Sequence, residues 1–278
     1  MALKIEDLVD TWAASPPIMY YQLKEALNNP NSAFDDFAKI ISADPALTSR
    51  LLKIVNSAFY GLSSQVETIS HALNIIGTSQ LVDLALASAV TSKFRGIPRD
   101  LVNMEMFWMH SVATGIMAKK IGEYKKMEGA DRFYLGGMLH DVGSLVLFKE
   151  LPEKSKRVLE RCKKENMSLS LLEDETFGMD HAEVGGKVLS GWNLPERIVA
   201  VVRYHHNPMA SQKFFIEASI IQLADHMVHE LNIGNSGEFK IPELASNAEK
   251  LINVPEDAMA QIKEAVMENL DQTVRMFL

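Results

Sequence analysis

Ile41-Ser42-Ala43-Asp44-Pro45-Ala46-Leu47-Thr48-Ser49-Arg50-Leu51-Leu52-Lys53-Ile54-Val55-Asn56-Ser57-Ala58-Phe59-Tyr60-Gly61 is the stretch on which the fold turns. Asp44-Pro45 closes one helical run and opens another, because proline fits the first turn of a helix, where its missing N–H is not needed. Leu47, Leu51, Leu52, Ile54 and Val55 then recur at helical steps, until Asn56-Ser57 and Tyr60-Gly61 interrupt the run. Upstream, Phe34, Phe37, Ala38, Ile40 and Ile41 share one helical face. Downstream, the pattern predicts a helix over 69–76, a break at Gly77-Thr78-Ser79, and a further helix over 80–94.

The same period continues to the end of the chain. It predicts helices over 100–123, 131–148, 152–165, 168–177, 181–192, 195–204 and 214–231. A last helix over 255–277 follows a looser stretch containing Gly234, Gly237 and Pro242. Sustained alternation of polar and β-branched residues is scarce, so the expected class is all-α. Gly96-Ile97-Pro98 interrupts two long helical patterns and is the natural boundary between a helical lobe over 1–96 and a second over 97–278. No internal repeat or low-complexity tract is visible.

Composition narrows the function. With 47% hydrophobic and 23% charged residues in 278, the chain can bury a substantial core. A net charge of -8 argues against a surface that tracks phosphates, so no nucleic-acid partner is expected. Cys162 is the single cysteine, which rules out an intrachain disulfide and a multi-thiolate metal site. The start, Met1-Ala2-Leu3-Lys4-Ile5-Glu6-Asp7, is acidic where a signal peptide would be basic, and a cytoplasmic address is expected. The apolar stretch over 81–90 is broken by Asp83 and Ser88 and is far shorter than the roughly 20 residues a membrane helix needs. No membrane association is expected.

Chemistry concentrates between residues 110 and 226. His110 lies in Phe107-Trp108-Met109-His110-Ser111-Val112-Ala113, and His140-Asp141 sits between Met138-Leu139 and Val142-Gly143. Asp225 ends the apolar run Ile220-Ile221-Gln222-Leu223-Ala224, where an unpaired carboxylate is costly to bury. Imidazole nitrogens and carboxylate oxygens suit a divalent ion of the iron, manganese, nickel or zinc kind, and one ion would satisfy His110, His140, Asp141 and Asp225 together. Adjacent His140 and Asp141, about 100° apart around a helix, would approach it from neighbouring edges. The alternative is a purely structural set, hydrogen-bonded across several helices.

These contexts carry a resemblance. The order His110, His140-Asp141, Asp225, with Met138-Leu139-His140-Asp141-Val142-Gly143 as central motif, is similar to the HD superfamily of metal-dependent phosphohydrolases. The segment 41–61, continued by Ile69-Ser70-His71-Ala72-Leu73-Asn74-Ile75-Ile76-Gly77, resembles the HDOD domain, the HD-related output domain of bacterial signalling proteins. The match runs over about residues 12–208. It implies a helical HD-like domain with an N-terminal helical lobe packed on it, and a regulatory role. By resemblance to the HD-GYP branch, which cleaves cyclic di-GMP, His181 in Asp180-His181-Ala182-Glu183 and the pair His205-His206 become ligands of a second ion. Asp141 then bridges two ions and is the catalytic candidate.

Three departures weigh against that activity. Asn207-Pro208-Met209 stands where a Gly-Tyr-Pro signature would follow, Ser144 replaces a lysine, and Met106 replaces a glutamate one turn before His110. Two functions remain open: an output module that binds a signalling protein or a nucleotide-like small molecule, which is favoured, and a metal-dependent phosphohydrolase. No further signalling domain fits the remaining residues, so the signal is expected to arrive from a separate protein. The other candidates have plainer expectations. His71 reads as structural, His226 and His229 as the solvent edge of the Asp225 helix, and Glu173-Asp174-Glu175 as a solvated face. Met104, Met106, Met109 and Met117 read as core filling, and Trp12, Trp108 and Trp192 as packing residues.

Overall fold

The computed structural model describes residues 5–57, 60–62, 64–94, 96–245 and 248–277, and helix is the only regular structure among them. Ala58 and Phe59 of the opening segment lie outside the described residues, as do residues 1–4. The chain forms two compact units, one of residues 16–95 with 268–278 and a larger one of residues 1–15 with 96–267.

In the smaller unit the helices are α2 (Ile18–Asn28), α3 (Phe34–Ser42), α4 (Pro45–Val55), α5 (Ile69–Ile76) and α6 (Thr78–Lys93), preceded in the chain by α1 (Ile5–Ala13) of the larger unit. α3 packs on α2, α4 and α5, and α6 on α2, α4 and α5. The apolar face read from the sequence is buried in part: Phe37 and Ile41 of α3 and Leu47, Leu51, Ile54 and Val55 of α4 are buried, whereas Phe34 stands exposed and Ala38, Ile40 and Leu52 are half-buried. α4 starts where Asp44-Pro45 places it, because Asp44 Oδ1 accepts hydrogen bonds from the Ala46 and Leu47 amides at 2.9 and 3.0 Å. Such a cap contributes about 1 kcal/mol. Past the end of α4, the Asn56 side chain donates to the carbonyls of Leu52 and Val66 and accepts from the Val66 amide, stapling the loop that leads to α5.

In the larger unit follow α7 (Met104–Tyr124), α8 (Asp131–Leu139), α9 (Val142–Glu150), α10 (Pro152–Glu165), α11 (Leu169–Phe177), α12 (His181–Gly191) and α13 (Glu196–Tyr204). A single 3-10 turn, Pro208–Ala210, leads to α14 (Phe215–Glu230), α15 (Ala248–Ile252) and α16 (Glu256–Phe277), the last divided between the units at residue 267. α7 is buried on every face from His110 to Ala118, lying against α8 and α14, while α12 lies against α1, α9 and α13. Trp192, at the end of α12, donates through Nε1 to the Trp12 carbonyl at 2.7 Å, and Trp12 Nε1 donates to Glu150 at 3.1 Å. The two tryptophans thus pin α1 to α12 and α9, and Trp108 meets Phe107 edge-on in the core.

One helix expected from the sequence is two. The run over 131–148 breaks at His140-Asp141, where His140 keeps helical angles but Asp141 turns to φ -95° and ψ 9°. Residues on both sides are buried all round, so apolar periodicity passes through the break unmarked. Helices α1, α2 and α15 are additions to the expectation. No helix among the described residues is long and apolar enough to cross a membrane.

Candidate metal centre

Each of the seven residues singled out in the sequence arrives from a different structural position, and all converge in the larger unit. His110 projects from the middle of α7, His140 caps the end of α8, and Asp141 is the N-cap of α9. His181 is the first residue of α12, His205 follows α13 with His206 after it, and Asp225 lies on α14. The break at Asp141 is what lets its carboxylate stand between the others. Gly143 tightens this corner: a Cβ there would sit 2.0 Å from the His181 carbonyl oxygen and 2.6 Å from the Gly185 amide, so only glycine lets α9 and α12 meet beside Asp141. At Gly234, where φ is +67°, a Cβ would lie 2.3 Å from the His110 amide nitrogen, so a second glycine brings the chain after α14 against α7 at the histidine itself.

The two oxygens of Asp141 face two groups of rings. Oδ2 lies 3.2 Å from His140 Nε2 and 3.7 Å from His110 Nε2, while Oδ1 lies 3.2 Å from His181 Nε2 and 3.7 Å from His205 Nε2. Asp225 Oδ1 completes the first group at 3.0 Å from His110 Nε2 and 3.5 Å from His140 Nε2. His206 Nε2 completes the second, 2.8 Å from His181 Nε2. Around an ion with bonds of about 2.1 Å, neighbouring ligand atoms stand about 3.0–3.4 Å apart; the 3.0 and 3.2 Å spacings match a shared coordination sphere, and the 2.8, 3.5 and 3.7 Å ones lie close to it. Three overlapping triads have ligand atoms within 4.8 Å of one another: His110, His140 and Asp225; His140, Asp141 and His205; and His181, His205 and His206.

The hydrogen-bond inventory tests whether a cation fits. His110 Nε2, His140 Nε2, His205 Nε2 and Asp225 Oδ1 are all buried with no hydrogen-bond partner. Buried polar atoms are rarely left so, and four within one cluster favour a positive ion there. The rings are already turned for it: His140 Nδ1 contacts the Gly137 carbonyl at 2.6 Å and His205 Nδ1 the Val202 carbonyl at 2.7 Å, which assigns the proton to Nδ1 and leaves Nε2 facing the cluster.

Electrostatics agree. Burial alone would raise the carboxyl of Asp141, yet His140 and His181 outweigh it and hold it well below the usual range. Asp225 is likewise held low against its burial by His229 and the His110 and His140 rings. Burial works against a charged His140, but Asp141 and Asp225 lift it to about 10; His181 is lifted by Glu173 and Asp141 in the same way. Burial, reinforced by neighbouring rings, pushes His205 well down and His206 down to about 3. Protons thus occupy the places where positive charge is needed, and an ion would displace them.

Two residues read differently in the structure than in the sequence. Glu173 does not belong to a solvated face: it is 1% exposed and its Oε2 lies 2.5 Å from His181 Nδ1. His229 is no solvent-edge residue either, since its ring centroid is 4.6 Å from that of His110 and its Nε2 is 3.4 Å from Asp225 Oδ1. Its spacing of one helical turn from Asp225 was a usable signal. For Glu173, flanked by exposed Asp174 and Glu175, the sequence held none.

The model of the HDOD domain matches residues 13–208. The chain belongs to the HDOD domain family. Among curated proteins this HDOD chain is 27% identical over 237 residues to an uncharacterized protein of Treponema pallidum (strain Nichols), covering 84% of the chain and 45% of that relative's length. Among solved structures it is similar to an HDOD domain protein of unknown function from Geobacter sulfurreducens, with a TM-score of 0.79 at 23% identity over 99% of this chain and 100% of that one. A signal transduction candidate from Marinobacter aquaeolei VT8 matches with a TM-score of 0.77 at 19% identity, over 100% of this chain and 62% of that one. A phosphohydrolase candidate from Shewanella amazonensis SB2B matches with 0.76 at 19% identity, over 97% of each chain. At these identities the three structures establish the shared helical fold of the HDOD chain.

Proposed function

We propose that this chain is a signalling module that binds a protein partner or a nucleotide-like small molecule, acts in the cytoplasm, and holds one or two divalent ions at the histidine-aspartate cluster. The supporting observation is the set of four buried ligand atoms without a hydrogen-bond partner on His110, His140, His205 and Asp225. A first ion would be held by His110, His140, Asp141 and Asp225, and a second by Asp141, His181, His205 and His206. Iron, manganese, nickel and zinc all accept such nitrogen and oxygen donors. Metal analysis of the purified protein, alongside His140→Ala and Asp141→Ala, tests the centre; a wild-type chain that stays metal-free under metal-replete conditions sinks it.

A second reading, phosphoester hydrolysis, is favoured by one observation: Asp141 divides its two oxygens between the two ring groups, the arrangement of a bridging ligand. Divalent ions bound there would supply Lewis acidity that activates a water for attack on phosphorus. The chain's own residues assist less. Ser144, three positions after Asp141, is buried with its hydroxyl unpartnered and offers no ammonium to hold a phosphate. Turnover of phosphomonoesters, nucleotides and cyclic dinucleotides with manganese, iron or nickel decides; rates equal to those of a His140→Ala/Asp141→Ala double variant reject hydrolysis.

A further inference from the structure

The rings of the centre are not braced alike. His140 and His205 rest their Nδ1 atoms on backbone carbonyls, which are neutral and belong to the turn just before each ring. His181 instead rests on a side chain from another helix. Glu173 Oε2 takes both the His181 backbone amide, at 2.9 Å, and the ring Nδ1, at 2.5 Å. A single oxygen thus fixes the first residue of α12 and the plane of its ring. Glu173 is itself held in place, since α11 is anchored at its first residue: Glu238 Oε2 accepts the Leu169 amide at 2.7 Å, and Glu173 follows one turn later. Burial pushes the Glu173 carboxyl up, and the His181 ring and amide offset that in part by holding Oε2, while Oε1 has no hydrogen-bond partner.

We propose that Glu173 is the positioning residue of the second ion: its carboxylate keeps the His181 proton on Nδ1 and so aims Nε2 at Asp141 Oδ1 and His206. The inference rests on the metal centre proposed above. Carboxylates behind ligating histidines hold the ring orientation and raise the donor strength of the opposite nitrogen. The first ion has no such support, because its rings are braced by a carbonyl at His140 and by no hydrogen bond at His110 Nδ1. Glu173 therefore acts on one half of the centre.

The test compares wild type, Glu173→Gln and Glu173→Leu by counting bound zinc per chain and recording long-range proton–nitrogen spectra of histidine-labelled, zinc-loaded protein. Wild type is expected to take two ions and to show His181 protonated at Nδ1. Glu173→Gln keeps the acceptor but loses the charge, and its second ion should bind about 10–100-fold more weakly with the tautomer retained. Glu173→Leu should keep one ion and lose the Nδ1 proton signal. Unchanged affinity for the second ion in Glu173→Gln overturns the role of Glu173 and leaves the centre standing, and that variant decides even where Glu173→Leu does not fold. A wild-type chain that binds one ion also overturns this inference alone. One that binds none overturns the centre with it.

Discussion

The two compact units are built from the same material and use it differently. In the smaller unit the buried polar residues among those described are Ser57 and Ser88, with Tyr20 adding a phenolic hydroxyl to an otherwise apolar interior. The larger unit buries four histidines, two aspartates and two glutamates among its helices: His110, His140, His181, His205, Asp141, Asp225, Glu173 and Glu238. The smaller unit is therefore a packing solution, whose stability follows from apolar area and caps. The larger one has accepted a desolvation cost that only mutual pairing or a bound cation offsets. The segment 41–61 lies wholly in the smaller unit, whose described buried residues include no histidine, aspartate or glutamate, whereas the family match over 13–208 also takes in most of the larger unit's cluster.

The comparison breaks if ion binding survives damage to the larger unit's cluster. Asp141→Ala removes the one residue common to both ion groups and is expected to abolish binding of both ions, read as metal per chain. Leu51→Ala, in the fully buried face of α4, should cost about 2–5 kcal/mol in urea denaturation while leaving the metal content of folded protein unchanged. Metal loss in Leu51→Ala under conditions where the chain is folded would mean that the two roles are not separable.

A pH series on chelator-stripped protein sharpens the contrast. His206 and His229 titrate in the folded chain at about 3 and about 4, below their ordinary value near 6.5, because burial disfavours their charge. Between those values and 6.5 the unfolded chain binds more protons, so stability falls as pH drops below about 6.5. His140 is held at about 10, so above 6.5 the folded chain binds the extra proton and stability falls again toward pH 10. The expected optimum lies near pH 6.5, and zinc should flatten the alkaline arm by displacing that proton. Alkaline melting curves that are identical with and without zinc would count against the centre. The smallest effect is Asp44→Ala, which should lower stability by about 1 kcal/mol through the loss of the α4 cap and leave the pH profile unmoved.

Much of this was legible because residue type and local pattern coincide. Asp44-Pro45 announces a helix start with no help from elsewhere in the fold. His110, His140-Asp141 and Asp225 stand out because polar groups interrupt apolar helices that have no other use for them, and His181, His205 and His206 followed from family resemblance. Glu173 was hidden because its burial is decided by the arrival of α12 more than by its own neighbours, which are exposed acids. The break at His140-Asp141 was hidden because α8 and α9 are apolar all round, so their sequence carries no face to lose register.

The Trp12–Trp192 link has an optical consequence. Trp192 is fully buried at one end of α12, and His181 stands at the other, about 16 Å away along the helix axis. An indole whose N–H is held by a carbonyl emits at a wavelength and intensity that change when the bond bends or solvent enters. A tilt of α12 at its histidine end would therefore be expected to change the emission of Trp192 at the far end, a readout that needs no label.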